Sequence, residues 1–216
     1  MITPESNLSL FLGSDSCSES DPFFYESLVR KAGYRVIAGV DEAGRGPLAG
    51  PVVAAAVILP EGVLLDGVRD SKEMTESARE QSFCLIRERA VSVGVGVVSA
   101  SDIDRTDILK ASLEAMKRAV LCLEPQPDFC LVDGIHPMPV PIPYRCLKKG
   151  DRRSHSISAA SVVAKVYRDN IMCAFHEQFP VYGFSENKGY GTAQHLAALR
   201  AHGACPIHRM TFRGVT

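Results

Sequence analysis

The sequence predicts an α/β or α+β layer in which a mixed β-sheet is flanked by helices. Two observations carry that prediction. Five short runs have strand character, at 35–40, 51–59, 91–97, 129–132 and 141–147, and the later ones alternate with long stretches of helical periodicity. The 216 residues are 46% hydrophobic and 23% charged, a balance that fits one large domain with a sizeable core and excludes a disordered or fibrous chain.

Residues 1–20 are acidic with clusters of Ser and Asp, and read as a poorly ordered extension. Residues 22–32 have the pattern of a short helix. Past Gly33, the strand 35–40 breaks at Asp41-Glu42-Ala43-Gly44-Arg45-Gly46, where the glycines demand a turn. The second strand, 51–59, is almost wholly apolar, and 72–90 reads as a helical connection to the third. In 91–97 valine alternates with serine and glycine, so one face packs while the other lets a neighbour approach closely. Ile108, Leu109, Leu113, Met116, Val120 and Leu121 recur at helical spacing until Pro125 and Pro127 end that helix. The strand 129–132 leads into Asp133-Gly134, and 141–147 is an edge strand because its prolines cannot donate to a ladder. A long helix at 156–179 stops at Pro180, and a last one at 192–201 is capped by Thr192 and closed by Gly203.

The longest apolar run is interrupted by Gly50 and Pro51 and is too short for a membrane helix. With no basic segment before the patch at 8–12, a secretory signal is not expected either, which points to a cytoplasmic protein. Seven cysteines without a C-x-x-C pair read as reduced thiols, and the lone Cys205-x-x-His208 pair lacks the second pair that a structural zinc site needs. The formal net charge of −1 hides an asymmetry: residues 1–30 carry −4, 31–144 carry −4 and 145–216 carry +7. A basic C-terminal third suits a polyanion, although a solvated surface has the same composition.

Candidate chemistry collects at strand ends. Asp41 and Glu42 close the first strand and Asp133 closes the fourth. If those strands are parallel neighbours, the carboxylates converge at one sheet edge, where hard oxygen ligands suit Mg²⁺ or Mn²⁺. Asp151 lies just ahead of the long helix. Gly44-Arg45-Gly46 lets backbone groups approach an oxyanion. It is not a dinucleotide fingerprint, because Pro51 and a strand follow it where that motif needs a helix. Ser158, Ser161, Lys165, Arg168 and Asp169 share one face of the long helix, either a row that meets phosphates or a solvated stripe.

Taken together, Ala38-Gly39-Val40-Asp41-Glu42-Ala43-Gly44-Arg45-Gly46-Pro47, Asp70-Ser71-Lys72, Leu131-Val132-Asp133-Gly134, Lys149-Gly150-Asp151, Ser158-Ala159-Ala160-Ser161 with Ala164-Lys165-Val166, Lys188-Gly189-Tyr190-Gly191-Thr192 and Pro206-Ile207-His208-Arg209 resemble bacterial ribonuclease HII, the type 2 ribonuclease H. The resemblance runs in order from about residue 35 to 213. It implies an RNase H-like mixed five-stranded sheet flanked by helices. The catalytic domain would span 21–180, and a helical C-terminal extension at 181–216 would bind substrate and pack on it. It further implies endonucleolytic cleavage of the RNA strand of RNA–DNA hybrids and incision 5′ of single ribonucleotides embedded in DNA, leaving 3′-hydroxyl and 5′-phosphate ends. Asp41, Glu42, Asp133 and Asp151 fall on the four metal-binding acids, with Asp169 a rival for the fourth. Gly44, Arg45 and Gly46 fall on the ribose-sensing triplet, and Tyr190 on the tyrosine beside the ribonucleotide. Ser71, Lys72 and Lys165 join them as substrate-binding residues. The implied cofactor is Mg²⁺ or Mn²⁺, two ions during catalysis, and the implied partners are RNA–DNA hybrid and ribonucleotide-containing duplex DNA, bound by a monomer without a membrane. A resolvase or transposase-type DNA nuclease of the same fold would keep the acids but need no ribose sensor, and a non-catalytic nucleic-acid module would need neither.

Overall fold

In a computed structural model, residues 21–68, 71 and 74–215 are described. The acidic extension at 1–20 and Lys72 of the substrate-binding set lie outside them. The chain forms α1 (Phe24–Lys31), β1 (Ile37–Ala43), β2 (Val52–Ile58), α2 (Glu76–Arg89), β3 (Ser92–Val98), α3 (Ala100–Arg105), α4 (Ile108–Leu121), β4 (Phe129–Asp133), β5 (Tyr144–Leu147), α5 (His155–Gln178), α6 (Phe184–Asn187) and α7 (Ala193–His202).

One sheet of order β3-β2-β1-β4-β5 organises the molecule. β1 pairs antiparallel with β2 and parallel with β4, so the mixed character arises at the central strand. β2 and β3 are antiparallel, and β4 and β5 parallel. Alternation along the strands sorts residues to two cores. Ala38 and Val40 of β1, with Val52, Ala54 and Ala56 of β2, face Ala111, Ala115, Met116 and Ala119 of α4. Ala55 and Val57 face Ala159, Ala160, Val163 and Ala164 of α5, with Ile86 of α2 beside them. The glycines of β3 do what the sequence implies: a Cβ on Gly94 would lie 2.1 Å from the carbonyl oxygen of Ala119, and one on Gly96 2.0 Å from that of Ala115. Helix α4 therefore rests directly on the strand backbone.

Several boundaries move. β1 runs on to Ala43, because its pairing with β2 continues through Asp41↔Ala55 and Glu42↔Ala54. β5 shrinks to Tyr144–Leu147, with Pro143 offering only its carbonyl, to the N–H of Cys130. α2 starts at Glu76 rather than 72, since the Thr75 hydroxyl caps it by accepting from the N–H of Ala78. Residues 100–105 and 184–187 add two short helices. Thr192 caps α7 as expected, accepting from the N–H of His195. Among the described residues no helix is long and apolar enough to cross a membrane.

Beyond the sheet, Tyr182, Phe184, Ala198 and Leu199 pack against Leu48, Ala49 and Met172. The C-terminal segment thus lies on the second half of α5 and on the loop that follows β1.

Candidate active site

Parallel pairing of β1 with β4 places Asp41, Glu42 and Asp133 at one edge, where all three line a cavity of about 250 Å³. Gly44, Arg45 and Gly46 form a second wall, and Ser71, Lys165 and Tyr190 complete it. Of the four acids implied by the sequence, three meet there. Asp151 does not line the cavity. It is buried in a 3-10 turn, Gly150–Arg152, whose Gly150 N–H donates to Asp133 Oδ1 at 2.7 Å. Ser158 Oγ fixes the same turn from α5 by donating to the main-chain oxygen of Asp151 at 2.6 Å.

The carboxylates at this edge repel one another. Asp41 is buried, and desolvation holds its carboxyl well above the usual carboxylate range; the charges of Glu42 and Asp133 push it the same way. Partial relief comes from Ser161, which hydrogen-bonds Asp41, and from the Glu42 N–H, which donates to Asp41 Oδ1 at 2.7 Å. The Ser161 hydroxyl in turn lies 2.9 Å from that of Ser71. Arg45 reaches Glu42 at 3.3 Å from an exposed position. Among the described residues no three His, Cys, Asp or Glu side chains close into a ready-made cage. The donor set is oxygen only, is open on one side and carries excess negative charge, which fits a hydrated hard cation such as Mg²⁺ or Mn²⁺ rather than zinc.

The glycine wall is shaped by close approach. Gly44 has φ +95°, and a Cβ there would lie 2.0 Å from Arg168 Nε. Gly46 looks across a slot at Tyr190, whose Cε1 would be 3.8 Å from an added Cβ. Tyr190 is 47% exposed.

The polar face of α5 divides. Lys165 is half-buried at the cavity, where burial lowers its pKa and a 2.8 Å bond to Asp169 offsets only part of the drop. Asp169 also meets Arg79 at 3.5 Å and does not line the cavity, so it is not placed beside the other acids. Arg168 is neither a solvated residue nor a free phosphate contact. It is 1% exposed and donates to the carbonyls of Pro51, Lys188 and Ala49, because the loop after β1 and the C-terminal segment fold over it and their carbonyls need donors.

Sequence reasoning missed two other features. Arg209, quoted only as part of a motif, is fully buried against the loop after β1. His208, considered only with Cys205 as a metal pair, uses both ring nitrogens within the protein: Nδ1 accepts from the Cys205 N–H at 2.9 Å, and Nε2 lies 2.9 Å from His195 Nε2. A run of basic and aromatic residues returning to a glycine loop was the only available signal for either.

A sequence model of the ribonuclease HII family matches residues 38–215. The ribonuclease HII of Geobacter sulfurreducens is 56% identical over 191 residues, which cover 88% of each chain. Among solved structures, the ribonuclease H2 of Pyrococcus horikoshii OT3 superposes with a TM-score of 0.71 at 25% identity, over 84% of this chain and 95% of that one. Bst-RNase HIII in complex with Mn²⁺ shares the fold, with a TM-score of 0.63 at 18% identity over 86% of this chain and 70% of its own. The sheet order, the carboxylate edge and a match that takes in both walls of the cavity agree: the chain belongs to the ribonuclease HII family.

Proposed function

We propose that this endoribonuclease is a divalent-metal-dependent enzyme that cleaves the RNA strand of RNA–DNA hybrids. It also incises a DNA duplex on the 5′ side of a single embedded ribonucleotide, leaving 3′-hydroxyl and 5′-phosphate ends. The observation that carries the reading is one cavity with three carboxylates on one side and Gly44–Gly46 facing Tyr190 on the other.

Asp41, Glu42 and Asp133, with Asp151 on the adjoining turn, would hold the divalent ions. When bound, such ions supply activation of a water and stabilisation of the charge that develops at phosphorus. The water oxygen bonds to phosphorus, the bond from phosphorus to the 3′-oxygen breaks, and that oxygen leaves with a proton as the 3′-hydroxyl. Backbone groups of Gly44, Arg45 and Gly46 read the 2′-hydroxyl, the group that distinguishes RNA from DNA. Tyr190 stacks on the sugar or the next base, while Ser71, Lys72 and Lys165 hold phosphates without reading sequence. The basic C-terminal third supplies the long-range attraction for the duplex, and the enzyme works as a cytoplasmic monomer.

The test is an end-labelled duplex with one ribonucleotide, incubated in Mg²⁺ or Mn²⁺ and in EDTA. One cut immediately 5′ of the ribonucleotide, none in the all-DNA duplex and none in EDTA are expected. Cleavage of the all-DNA duplex would favour a resolvase-type nuclease, and cleavage in EDTA would remove the metal from the mechanism.

A further inference from the structure

Arg209 lies under the loop that follows β1 and is 0% exposed. Its Nη2 donates to the carbonyl of Gly44 at 2.6 Å and to that of Pro51 at 3.1 Å, its Nη1 to that of Arg45 at 2.9 Å, and its Nε to that of Gly50 at 2.9 Å. Arg168 holds Ala49 and Pro51 from the side of α5. Among the described residues neither guanidinium forms an ion pair with a carboxylate. Carbonyl oxygens are their direct hydrogen-bond partners; the charges of Asp104 near Arg209 and Asp169 near Arg168 act without direct contact, and the Phe212 ring lies 4.9 Å from the Arg209 guanidinium. Burying two cations on this support is costly, and neutral donors would satisfy the same oxygens at lower cost. What an arginine adds is a rigid fork of five donors that fixes several acceptors relative to one another.

The geometry has a directional consequence. In a planar trans peptide the C=O and the N–H point in opposite directions. Committing the carbonyls of Gly44 and Arg45 to Arg209 turns the N–H groups of Arg45 and Gly46 away from the buried guanidinium. Both residues line the cavity, and among the described residues neither N–H donates a hydrogen bond. Arg209 also belongs to the segment that carries Tyr190. Its own N–H donates to the Leu48 carbonyl, the Leu48 N–H to the Gly189 carbonyl and the Gly50 N–H to the Ile207 carbonyl, each at 2.8 Å.

We propose that Arg209 is a specificity-determining positioning residue. It presents the Arg45 and Gly46 N–H groups as a paired donor to the 2′-oxygen of the substrate and holds that pair at a fixed distance from Tyr190. The inference rests on the ribonucleotide reading above.

Arg209→Lys keeps the charge but cannot hold two consecutive carbonyls in one plane. The full chain and this variant are compared in Mg²⁺ on duplexes carrying either a single ribonucleotide or a 2′-fluoro nucleotide at the same position, fluorine being a poor acceptor. Wild type is expected to prefer the hydroxyl by at least about tenfold, since one good hydrogen bond lost is about 1.4 kcal/mol. The folded variant, checked by thermal melting, loses most of that preference, with the change in kcat rather than in affinity for an all-DNA duplex. Equal losses on both substrates, with the preference intact, would reduce Arg209 to loop support and overturn the proposal. A wild type that cuts at the ribonucleotide but does not prefer hydroxyl to fluorine overturns it too, while leaving the proposed function standing. A wild type that cuts at neither overturns both. Should the variant not fold, backbone NMR of wild type decides. Order parameters near 0.85 at Arg45 and Gly46, and shifts of their amide signals on adding the ribonucleotide duplex in Ca²⁺ but not the all-DNA duplex, support the clamp. Order parameters below 0.6, or the same shifts with both duplexes, refute it.

Discussion

Asp133 performs two tasks with one carboxylate. Its Oδ1 receives the Gly150 N–H and so anchors the turn that contains Asp151, while its charge raises the pKa of Asp41 across the cavity. Replacing it with Asn separates the tasks, because the amide oxygen still accepts the bond and the charge is gone. Asp133→Asn is expected to lower cleavage by two or more orders of magnitude, roughly 3 kcal/mol in the barrier. Affinity for a hybrid should be nearly unchanged, since phosphate contacts supply most of it. Removing a repelling charge from a buried carboxyl also predicts a melting temperature equal to or above that of wild type. A variant that cuts normally would remove Asp133 from the metal set, and one that melts well below wild type would show its charge to be structural.

At the scale of elements, β3 and α4 are in direct backbone contact. The sequence showed valine alternating with small residues, and in the fold Val93 and Val95 pack toward α5 while Gly94 and Gly96 meet the backbone of α4. A methyl group on Gly96 has no flexible neighbour to displace, because the obstructing atoms are the Ala115 carbonyl oxygen at 2.0 Å and the Ala119 nitrogen at 2.8 Å. Gly96→Ala therefore forces the helix off the strand, at an expected cost of about 2 kcal/mol or more. Chemical denaturation measures this, and a loss under about 0.5 kcal/mol would mean that helix and strand adjust freely. The site is remote, so a folded fraction of the variant should retain its specific activity.

For the molecule as a whole, acid stability turns on a buried relay in the C-terminal segment. The Tyr190 carbonyl can only accept, so His195 Nδ1 donates to it at 2.8 Å; His195 Nε2 then accepts from His208 Nε2, whose Nδ1 accepts from the Cys205 N–H. Each ring is complete in its neutral form, and protonating either destroys a bond. Burial lowers the pKa of His195 and, with the neighbouring His195, takes that of His208 down to about 4, and burial also lowers that of His155 beside Phe23. Above pH 6.5 both folded and unfolded chains hold these rings neutral and stability is complete. As the pH falls toward 4 the unfolded chain gains protons that the fold refuses, and stability is lost, on the order of 2 kcal/mol from His208 alone. Asp41 works in the opposite sense, because its raised pKa makes acid favour the folded form. Denaturation curves from pH 7.5 to 4 should show a net decline starting near 6.5, steeper in Asp41→Asn. A flat profile in that variant would mean that the histidines protonate freely inside the fold.

Local rules by themselves determined the five strands, the long helices and the Thr192 cap of α7, because hydrophobic period, proline and capping hydroxyls act over a few residues. The motif series Asp41-Glu42, Asp133, Asp151, Gly44–Gly46 and Tyr190 made the family legible before any contact was known. Tertiary structure alone decided which of these residues share a cavity. It brought Asp41 to Asp133 through parallel pairing over more than ninety positions of sequence, left Asp151 one turn aside, and brought Arg79 of α2 to Asp169. It alone also turned Arg168 and Arg209 inward. An arginine in a sequence reads as a surface charge, and only the carbonyls of a distant loop, brought against it by packing, make burial the lower-energy choice.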